Sequence, residues 1–344
     1  MGGGDCDHLS SSANWLDLTQ GRTGWIISDG KAGNDAQCLG VAEALGLAYE
    51  IKSVSPSGVW RLLSPYGPVD PTENFGDAGS PFCPPWPDFA IAAGRLTTPY
   101  IRALKRHAGR ATFTVILLDP RTGTGAADLF WVPEHDRLRG RNVITTLTAP
   151  HRFSPLRLAE LRKTAPPFLD ALKSPRVAVL LGGPNGVYRY TPVCIARLIT
   201  AVESLSALGA GLMATASRRT PLELREGVRA VVSACGGFFW DGDGENPYPH
   251  LLAHADAFLV TADSINMTGE PCVTGKPVYV FEPEGGSRKF SRFHESLYDY
   301  GATRPCPDRF ASLDRWSYEP LHSASSIARE IARRFAADSS LQQA

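Results

Sequence analysis

The chain has 344 residues, of which 43% are hydrophobic, and its 35 basic and 35 acidic residues cancel. This length suits two domains of roughly 150 residues, and the absence of net charge excludes a global field that would draw the protein to nucleic acid or to an anionic membrane. Seven scattered cysteines offer neither a CxxC metal knuckle nor a disulfide framework, so we expect reduced thiols in a cytosolic compartment.

The glycine- and serine-rich beginning of the chain predicts a flexible leader over residues 1–22. The leader contains no long apolar run of the kind that an ordinary secretory signal requires. No stretch elsewhere approaches the eighteen or so apolar residues of a membrane span. We therefore expect a cytoplasmic protein.

The first half of the chain predicts a series of βα units. A buried strand over residues 23–28 leads into the glycine-bearing turn Asp29-Gly-Lys-Ala-Gly-Asn34 and then into a helix over 36–45. The proline-rich residues 65–87 predict a loop. Further apolar strands follow, and their ranges are 88–92, 112–118, 129–132 and 142–145.

The same pattern restarts after a passage rich in proline. A helix over 155–165 precedes Pro166, Pro167 and Pro175, and a strongly apolar strand begins at Arg176. The later strands are predicted over 176–181, 211–216, 237–240, 257–261 and 277–281, with helices between them. Apolar strands separated by helices imply parallel sheets covered on both faces.

We therefore predict an α/β fold with two Rossmann-like, doubly wound parallel-sheet domains. The first domain is assigned to residues 23–165 and the second to residues 166–320. A C-terminal helix within 321–344 is expected to pack back on the first domain, because Ile327, Ile331 and Phe335 recur at helical spacing.

Groups suited to anion binding follow strands of the predicted second sheet. The turn Gly182-Gly-Pro-Asn-Gly186 could present amides to a phosphate, although it matches neither GxGxxG nor the P-loop. Ser217-Arg218-Arg219-Thr220 places two guanidiniums beside a helix start, which makes a compact anion clamp. The alternatives, a plain glycine turn and a solvated arginine pair, stay open.

The stretch from Val260 to Phe281 predicts strand, polar turn, short helix, glycine turn and strand. Asp263 and Ser264 stand at the helix entrance, where both residue types also cap helices well. The carboxylate of Glu270 can accept two hydrogen bonds from a ribose diol. Helix capping and ligand binding are compatible here.

Polar residues of the first half also gather at strand ends, among them Asp29, Lys31, Gly94 and Arg95. The pair His135-Asp136 could supply a general base, since imidazole titrates near neutral pH and a carboxylate can orient it. The alternative, that His135 only hydrogen-bonds a loop, stays open. The missing GxSxG elbow argues against a serine-nucleophile hydrolase.

Several short segments, taken together and in order, resemble the mitochondrial-fission "elongated mitochondria" family. That family includes plant proteins and bacterial relatives described as glycosyltransferases. The segments are Trp25, Asp29 to Gln37, Ala93-Gly-Arg95, Asp119-Pro-Arg121, Pro133-Glu-His-Asp136, Gly182-Gly183, Ser217 to Pro221, Asn246-Pro-Tyr248, Thr261 to Ser264 and Thr274-Gly-Lys-Pro277.

The resemblance implies a GT-B-like architecture in which two Rossmann-like domains face a cleft. The second domain would hold a nucleoside-diphosphate sugar and the first an acceptor. The residues implied on the donor side are Gly182, Gly183, Ser217, Arg218, Arg219, Asp263, Ser264 and Glu270. Lys31, Gly94 and Arg95 would lie on the acceptor side, and the catalytic candidates are Asp29, His135 and Asp136.

We expect a metal-independent glycosyltransferase that needs no cofactor beyond its donor substrate, because no DxD-like pair sits in a convincing position and Asp241-Gly-Asp243, which has the spacing, is predicted in a surface turn. It would move a sugar to a cell-envelope acceptor, either lipid or saccharide. Peripheral contact with the inner face of a membrane stays open, and nucleic acid is not an expected partner. The alternatives are a non-catalytic protein that recruits a dynamin-related GTPase and a nucleotide-sugar epimerase.

Overall fold

The computed structural model describes the backbone of residues 15–343 and the side chains of residues 15–338. The first half of the chain forms a parallel six-stranded sheet in the order β2-β1-β3-β4-β5-β6. Its strands are β1 (Thr23–Ser28), β2 (Ala48–Ser53), β3 (Phe89–Ala93), β4 (Phe113–Leu117), β5 (Leu129–Pro133) and β6 (Val143–Thr146). The helices of this half are α1 (Trp15–Thr19), α2 (Ala32–Ala44), α3 (Gly58–Leu63) and α4 (Thr98–Ala108).

The second half forms another parallel six-stranded sheet, in the order β10-β9-β7-β11-β12-β14, and β8 pairs with β13 in a small antiparallel ribbon. The strands are β7 (Arg176–Leu181), β8 (Tyr188–Arg189), β9 (Gly211–Ala216), β10 (Phe238–Trp240), β11 (Ala257–Thr261), β12 (Val278–Phe281), β13 (Glu284–Gly285) and β14 (Thr303–Pro305). The helices are α5 (Pro155–Lys163), α6 (Pro192–Ala207), α7 (Leu222–Ala234), α8 (Tyr248–His254), α9 (Ile265–Gly269), α10 (Arg288–Asp299) and α11 (Ser323–Gln343).

Each sheet is buried on both faces, as its apolar strands require. In the first sheet, Ile26 and Ile91 belong to the core on one face, whereas Ile27 and Ile116 belong to the core on the other. The second sheet is sandwiched in the same way between two clusters. The predicted fold class, two Rossmann-like parallel-sheet domains, is confirmed.

Both sheets have a point at which the order of the strands reverses. In the first sheet this switch point lies between β1 and β3, and in the second it lies between β7 and β11. Open α/β sheets bind ligands in the crevice outside the carboxyl ends of the strands at such points. The turns after β1, β3, β7 and β11 are therefore the first places to look for a site.

The prediction of a flexible leader is wrong for residues 15–22, while residues 1–14 lie outside the described part. Residues 15–19 form α1, which packs against α11. The buried hydroxyl of Thr19 donates a hydrogen bond of 2.7 Å to the carbonyl oxygen of Leu45. This contact fixes α1 to the end of α2.

The helices that connect the two halves pack across the expected domain boundaries. Helix α5 lies against α8, and Arg162 Nε donates to the Ala253 carbonyl oxygen at 2.7 Å. The first domain therefore ends before Pro155 and not at residue 165. Helix α11 returns to the first domain, where Ile327 and Ile331 join the core beneath β1 and β3.

Among the described helices, none combines the length and the apolar character that crossing a membrane requires.

Candidate functional site

The turns at the two switch points face each other across the domain boundary. A methyl group at Gly33, in the first turn of α2, would lie 3.9 Å from Asn266 Nδ2 at the start of α9. Further along the boundary, Lys289 Nζ of α10 lies 2.8 Å from Asp136 Oδ1. The carboxyl edges of both sheets therefore border one cleft.

Asp263 occupies the switch point of the second sheet, and its side chain is fully covered. Oδ1 accepts hydrogen bonds of 2.7 Å from the hydroxyls of Thr261 and Tyr190. Oδ2 accepts one of 2.9 Å from the Gly183 amide. Because burial, followed by the charge of Asp263, raises the pKa of Tyr190, the tyrosine hydroxyl remains a donor to this carboxylate.

The glycine turn after β7 is packed tightly against this carboxylate. The Gly182 amide donates to Thr261 Oγ1 at 2.8 Å. A methyl group at Gly182 would lie 2.1 Å from Asp263 Oδ1, and one at Gly183 would lie 2.2 Å from the Arg219 carbonyl oxygen. Both positions therefore require glycine for packing alone, and contact of their amides with phosphate stays a prediction.

The arginine pair projects from the turn after β9. Thr220 fixes this turn, since its hydroxyl donates to the Gly182 carbonyl oxygen at 2.6 Å and lies 3.1 Å from Ser217 Oγ. The half-exposed Arg219 guanidinium lies 3.8 Å from Asp263 Oδ2. Arg218 is exposed and forms no ion pair with any described residue, so its charge is available to an anion.

The entrance of α9 is capped by Ser264, whose hydroxyl oxygen accepts from the Met267 amide at 3.3 Å. The backbone amides at the start of a helix carry partial positive charge. Ser264 thus holds the helix end that borders the cleft beside Asn266.

Glu270 follows α9 and begins the 3-10 turn Glu270–Thr274. Its Oε2 accepts a hydrogen bond from the Tyr248 hydroxyl, and burial raises the pKa of Glu270 to about 7. Among the described residues no hydrogen bond to Oε1 is present. This carboxyl group keeps one oxygen free for a ligand.

Asp29 occupies the switch point of the first sheet, and its side chain is also fully covered. Lys31 Nζ lies 2.5 Å from Oδ2, whereas Asn34 Nδ2 approaches Oδ1 only to 3.4 Å. The Lys31 side chain itself is 60% exposed. The facing residue is Gly94, whose φ of +90° strains any other residue and where a methyl group would lie a tight 3.0 Å from Asn34 Nδ2.

His135 lies at the domain boundary instead of in the open cleft. Its side chain is buried, its ring centre lies 5.5 Å from that of Phe293, and Nε2 has no partner. Burial and then the charge of Lys289 lower the pKa of His135 to about 4, so the imidazole is neutral at pH 7. Asp136 is engaged by Lys289.

The three catalytic candidates do not form one cluster. Asp29 follows β1 and His135 follows β5, with β3 and β4 between them. Three strand spacings amount to about 14 Å, so the two side chains cannot serve the same proton. Arg95 also turns away from Asp29, because its guanidinium donates to the Arg61 carbonyl oxygen at 2.8 Å.

Two tyrosines of the site lay outside the predicted set. Tyr248 belongs to Asn246-Pro-Tyr248, one of the segments that carry the family resemblance, so this segment could have identified it as a site residue. Tyr190 follows the short strand β8, and nothing in the sequence marks it. Across the described residues, no group of three or more His, Cys, Asp or Glu side chains is placed to hold a metal ion.

Comparison with known proteins identifies relatives along most of the chain. The family model described as "Mitochondrial fission ELM1" matches residues 32–335. The mitochondrial fission protein ELM1 of Arabidopsis thaliana is 27% identical over 393 residues and covers 91% of each chain. The uncharacterized protein RP120 of Rickettsia prowazekii (strain Madrid E) is 25% identical over 355 residues, which cover 89% of this chain and 97% of the relative.

Solved structures with a similar arrangement are more distant. MurG of Acinetobacter baumannii is 13% identical with a TM-score of 0.43, covering 92% of this chain and 93% of its own. A UDP-GlcNAc 2-epimerase of Methanocaldococcus jannaschii is 10% identical with a TM-score of 0.49, covering 90% and 99%. UGT71G1 of Medicago truncatula, complexed with UDP-glucose, is 10% identical with a TM-score of 0.44, covering 93% and 94%.

Proposed function

The chain belongs to the mitochondrial fission ELM1 family, and from that premise we propose that it binds a nucleoside-diphosphate sugar between its domains and transfers the sugar to a cell-envelope acceptor. The observation that carries this proposal is the approach of the two switch points at Gly33 and Asn266. The proposal puts the donor on the second domain, with Arg218 and Glu270, and the acceptor on the first domain, with Asp29.

The donor would lie along the second domain. Glu270 Oε1 is free to accept from a ribose hydroxyl, while Tyr248 holds the other carboxyl oxygen. The unpaired guanidinium of Arg218 suits a diphosphate, since charge-assisted hydrogen bonds to phosphate oxygens are among the strongest in proteins. Arg219 is partly committed to Asp263 and would contribute less.

The transfer would be a displacement at the anomeric carbon. A bond forms between the acceptor oxygen and this carbon while the bond to the diphosphate oxygen breaks. The acceptor's proton passes to Asp29, and Arg218 stabilises the negative charge that leaves with the diphosphate. Lys31 must leave Asp29 first, because it covers the carboxylate.

Asp29 suits this step better than His135 does. An imidazole whose pKa is lowered to about 4 is a weak base at neutral pH. It is also buried against Phe293, so no acceptor reaches it without separation of the domains.

One observation favours a second function, that of a non-catalytic protein that recruits a dynamin-related GTPase. The amides of Gly182 and Gly183 are occupied within the protein, and Asp263 places negative charge beside them. A diphosphate would be repelled at that point. A family member that has lost donor binding would show this arrangement.

Calorimetry with UDP-, GDP- and CMP-linked sugars distinguishes the two functions. We expect one nucleotide class to bind, and Arg218→Ala to weaken that binding about tenfold. Arg309→Ala is the matched control, because Arg309 is likewise an exposed second-domain arginine without an ion pair among the described residues.

Absence of binding to every donor would overturn the transferase and leave the recruiting protein. If a donor binds, product analysis decides between reactions. Isomerised sugar formed without any acceptor would show an epimerase instead of a transferase.

A further inference from the structure

Helix α3 and the residues after it expose an unusual amount of apolar surface. The helix buries none of its residues. The exposed fractions are 55% for Val59, 80% for Leu62, 45% for Leu63 and 66% for Tyr66. Single exposed apolar side chains are ordinary, but four within eight residues form a contiguous patch, and such patches mark interaction sites.

The apolar patch, defined as Val59, Leu62, Leu63 and Tyr66, has arginines in its own segment and in the segments that contact it. Arg61 lies on α3 itself, and Arg95 donates to its carbonyl oxygen at 2.8 Å. Arg102 donates to the Tyr66 carbonyl oxygen at 2.7 Å, and the Tyr66 hydroxyl donates to the Arg121 carbonyl oxygen at 2.9 Å.

Negative charge is absent from this segment, since residues 54–67 contain neither aspartate nor glutamate. The chain as a whole has no net charge, so these arginines, offset in part by Asp119 beside Arg121, are a local excess of positive charge. Apolar side chains that project between cations complement a surface with a hydrophobic interior and anionic headgroups. A typical protein partner would have to supply an acidic rim around an apolar pocket.

The apolar patch also lies at the rim of the proposed acceptor side. Arg95 directly follows Gly94, which faces Asp29 at the switch point of the first sheet. Arg121 belongs to the turn after β4, at the same edge of that sheet. A molecule held against the patch would therefore have its polar end close to the cleft.

We propose that the apolar patch docks on a bilayer containing anionic phospholipid, with Leu62 and Tyr66 inserted at the interface and the arginines at the level of the phosphates. This deepens the proposed function and rests on it in one respect: the acceptor would be lipid-anchored and would enter the cleft from the membrane. The docking itself does not depend on catalysis.

Flotation of the protein with vesicles tests the docking. We expect binding to phosphatidylcholine vesicles that contain phosphatidylglycerol and much weaker binding to phosphatidylcholine alone. Leu62→Glu should reduce the bound fraction at least about tenfold, because it places a carboxylate at the point of deepest insertion. Arg61→Gln should reduce it about fivefold and weaken its dependence on salt.

Leu222→Glu is the matched control, since Leu222 is 64% exposed at the start of α7 in the second domain. It should leave vesicle binding unchanged, and both leucine variants should keep the thermal midpoint of the parent. Equal loss in the two variants would overturn the assignment of the docking surface to α3.

Two further readouts keep the proposals separable. If the protein ignores both kinds of vesicle and Leu62→Glu converts a dimer to a monomer in sedimentation, the patch binds a second copy and membrane docking is overturned. Calorimetry with the donor should be unchanged in Leu62→Glu. Docking without donor binding would overturn only the transferase, and donor binding without docking would overturn only the membrane surface.

Discussion

Two aspartates, Asp29 and Asp263, each follow a strand that borders a switch point, β1 in the first sheet and β11 in the second, and both carboxylates are fully covered. They are held in different ways. Asp263 accepts three hydrogen bonds of 2.7–2.9 Å from a backbone amide and two hydroxyls. Asp29 has one close partner, the ammonium group of a largely exposed lysine.

The hydrogen bonds of Asp263 make its carboxylate part of the scaffold. The Asp29 carboxylate can lose its one close partner and become available to a substrate. Moving Asp263 would leave buried donors on three elements without an acceptor, which is costly. Lys31, by contrast, is largely exposed, so its ammonium group can return to water while Asn34 Nδ2 stays beside the Asp29 carboxylate. A covered aspartate beside a switch point thus has a packing role in one domain and is the proposed base in the other.

The largest effect is expected from a substitution that disrupts the packing at the switch point of the second sheet. Gly183→Ala would place a methyl group 2.2 Å from the Arg219 carbonyl oxygen, and backbone cannot yield as a side chain would. We expect a loss of about 4 kcal/mol in the free energy of unfolding, measured by urea denaturation.

Gly186→Ala is the control in the same turn, because nothing lies within 4 Å of the added methyl group. It should change stability by less than about 0.5 kcal/mol. Similar stabilities for the two variants would mean that the turn after β7 is loosely packed, and the contrast between the two domains would disappear.

The next prediction compares the aspartates directly. Asp263→Asn should lower the free energy of unfolding by about 2–3 kcal/mol. The NH2 group of the new side chain would face a hydrogen-bond donor of the protein where the aspartate has an acceptor oxygen. Asp29→Asn should cost less than about 1 kcal/mol because its cover is an exposed lysine.

Enzymatic activity should depend more on Asp29 than on Asp263, which is the reverse of their order in stability. Asp29→Asn should reduce turnover with the identified donor and acceptor by about a hundredfold or more, measured at saturating donor. A stable, fully active Asp29→Asn variant would remove Asp29 from the mechanism and leave its covered position without a catalytic role.

The sequence predicted the strands of this fold well where both faces are buried. The predicted ranges 23–28, 176–181, 211–216 and 257–261 coincide with β1, β7, β9 and β11. Continuous apolar runs between polar turns have few other interpretations. Strand β2 escaped prediction because it is an edge strand with mostly exposed residues, so its sequence lacks that pattern.

The site was predictable only as a set of positions. Chain order and strand ends predicted that Asp29 follows β1 and Asp263 follows β11. The direction of each carboxylate was not predictable, since Asp263 points back to Gly183 and Tyr190 through contacts between residues 73 to 80 positions apart. Helix α10, which buries His135, carried a signal in the spacing of Phe293 and Leu297.

The pH dependence of donor binding tests the second domain's free carboxyl group. The pKa of Glu270 is raised to about 7, and a ribose hydroxyl donates best to the ionised form. Affinity should therefore rise about tenfold between pH 6 and pH 8, measured by calorimetry. The affinity of Glu270→Gln should not depend on pH. If the affinity of the parent does not depend on pH either, Glu270 does not contact the donor.

The same raised pKa has a consequence for stability. The folded protein favours protonated Glu270, so the stabilisation is complete below the ordinary value of 4.5 and is lost as the pH rises through about 7. The difference in unfolding free energy between Glu270→Gln and the parent should therefore grow in favour of the variant from pH 5 to pH 8.

The smallest expected effect concerns the cover of Asp29. Lys31→Met removes the ammonium group of a side chain that is 60% exposed from a carboxylate that is fully covered, and if the lysine is only a removable cover, stability should change by less than about 1 kcal/mol. Tyr190→Phe, the matched loss of one partner from Asp263, should cost about 1.5 kcal/mol because the hydrogen bond to the carboxylate is buried. Urea denaturation measures both. If Lys31→Met costs as much as Tyr190→Phe, the lysine is part of the scaffold, Asp29 is no more releasable than Asp263, and the two switch points are built alike.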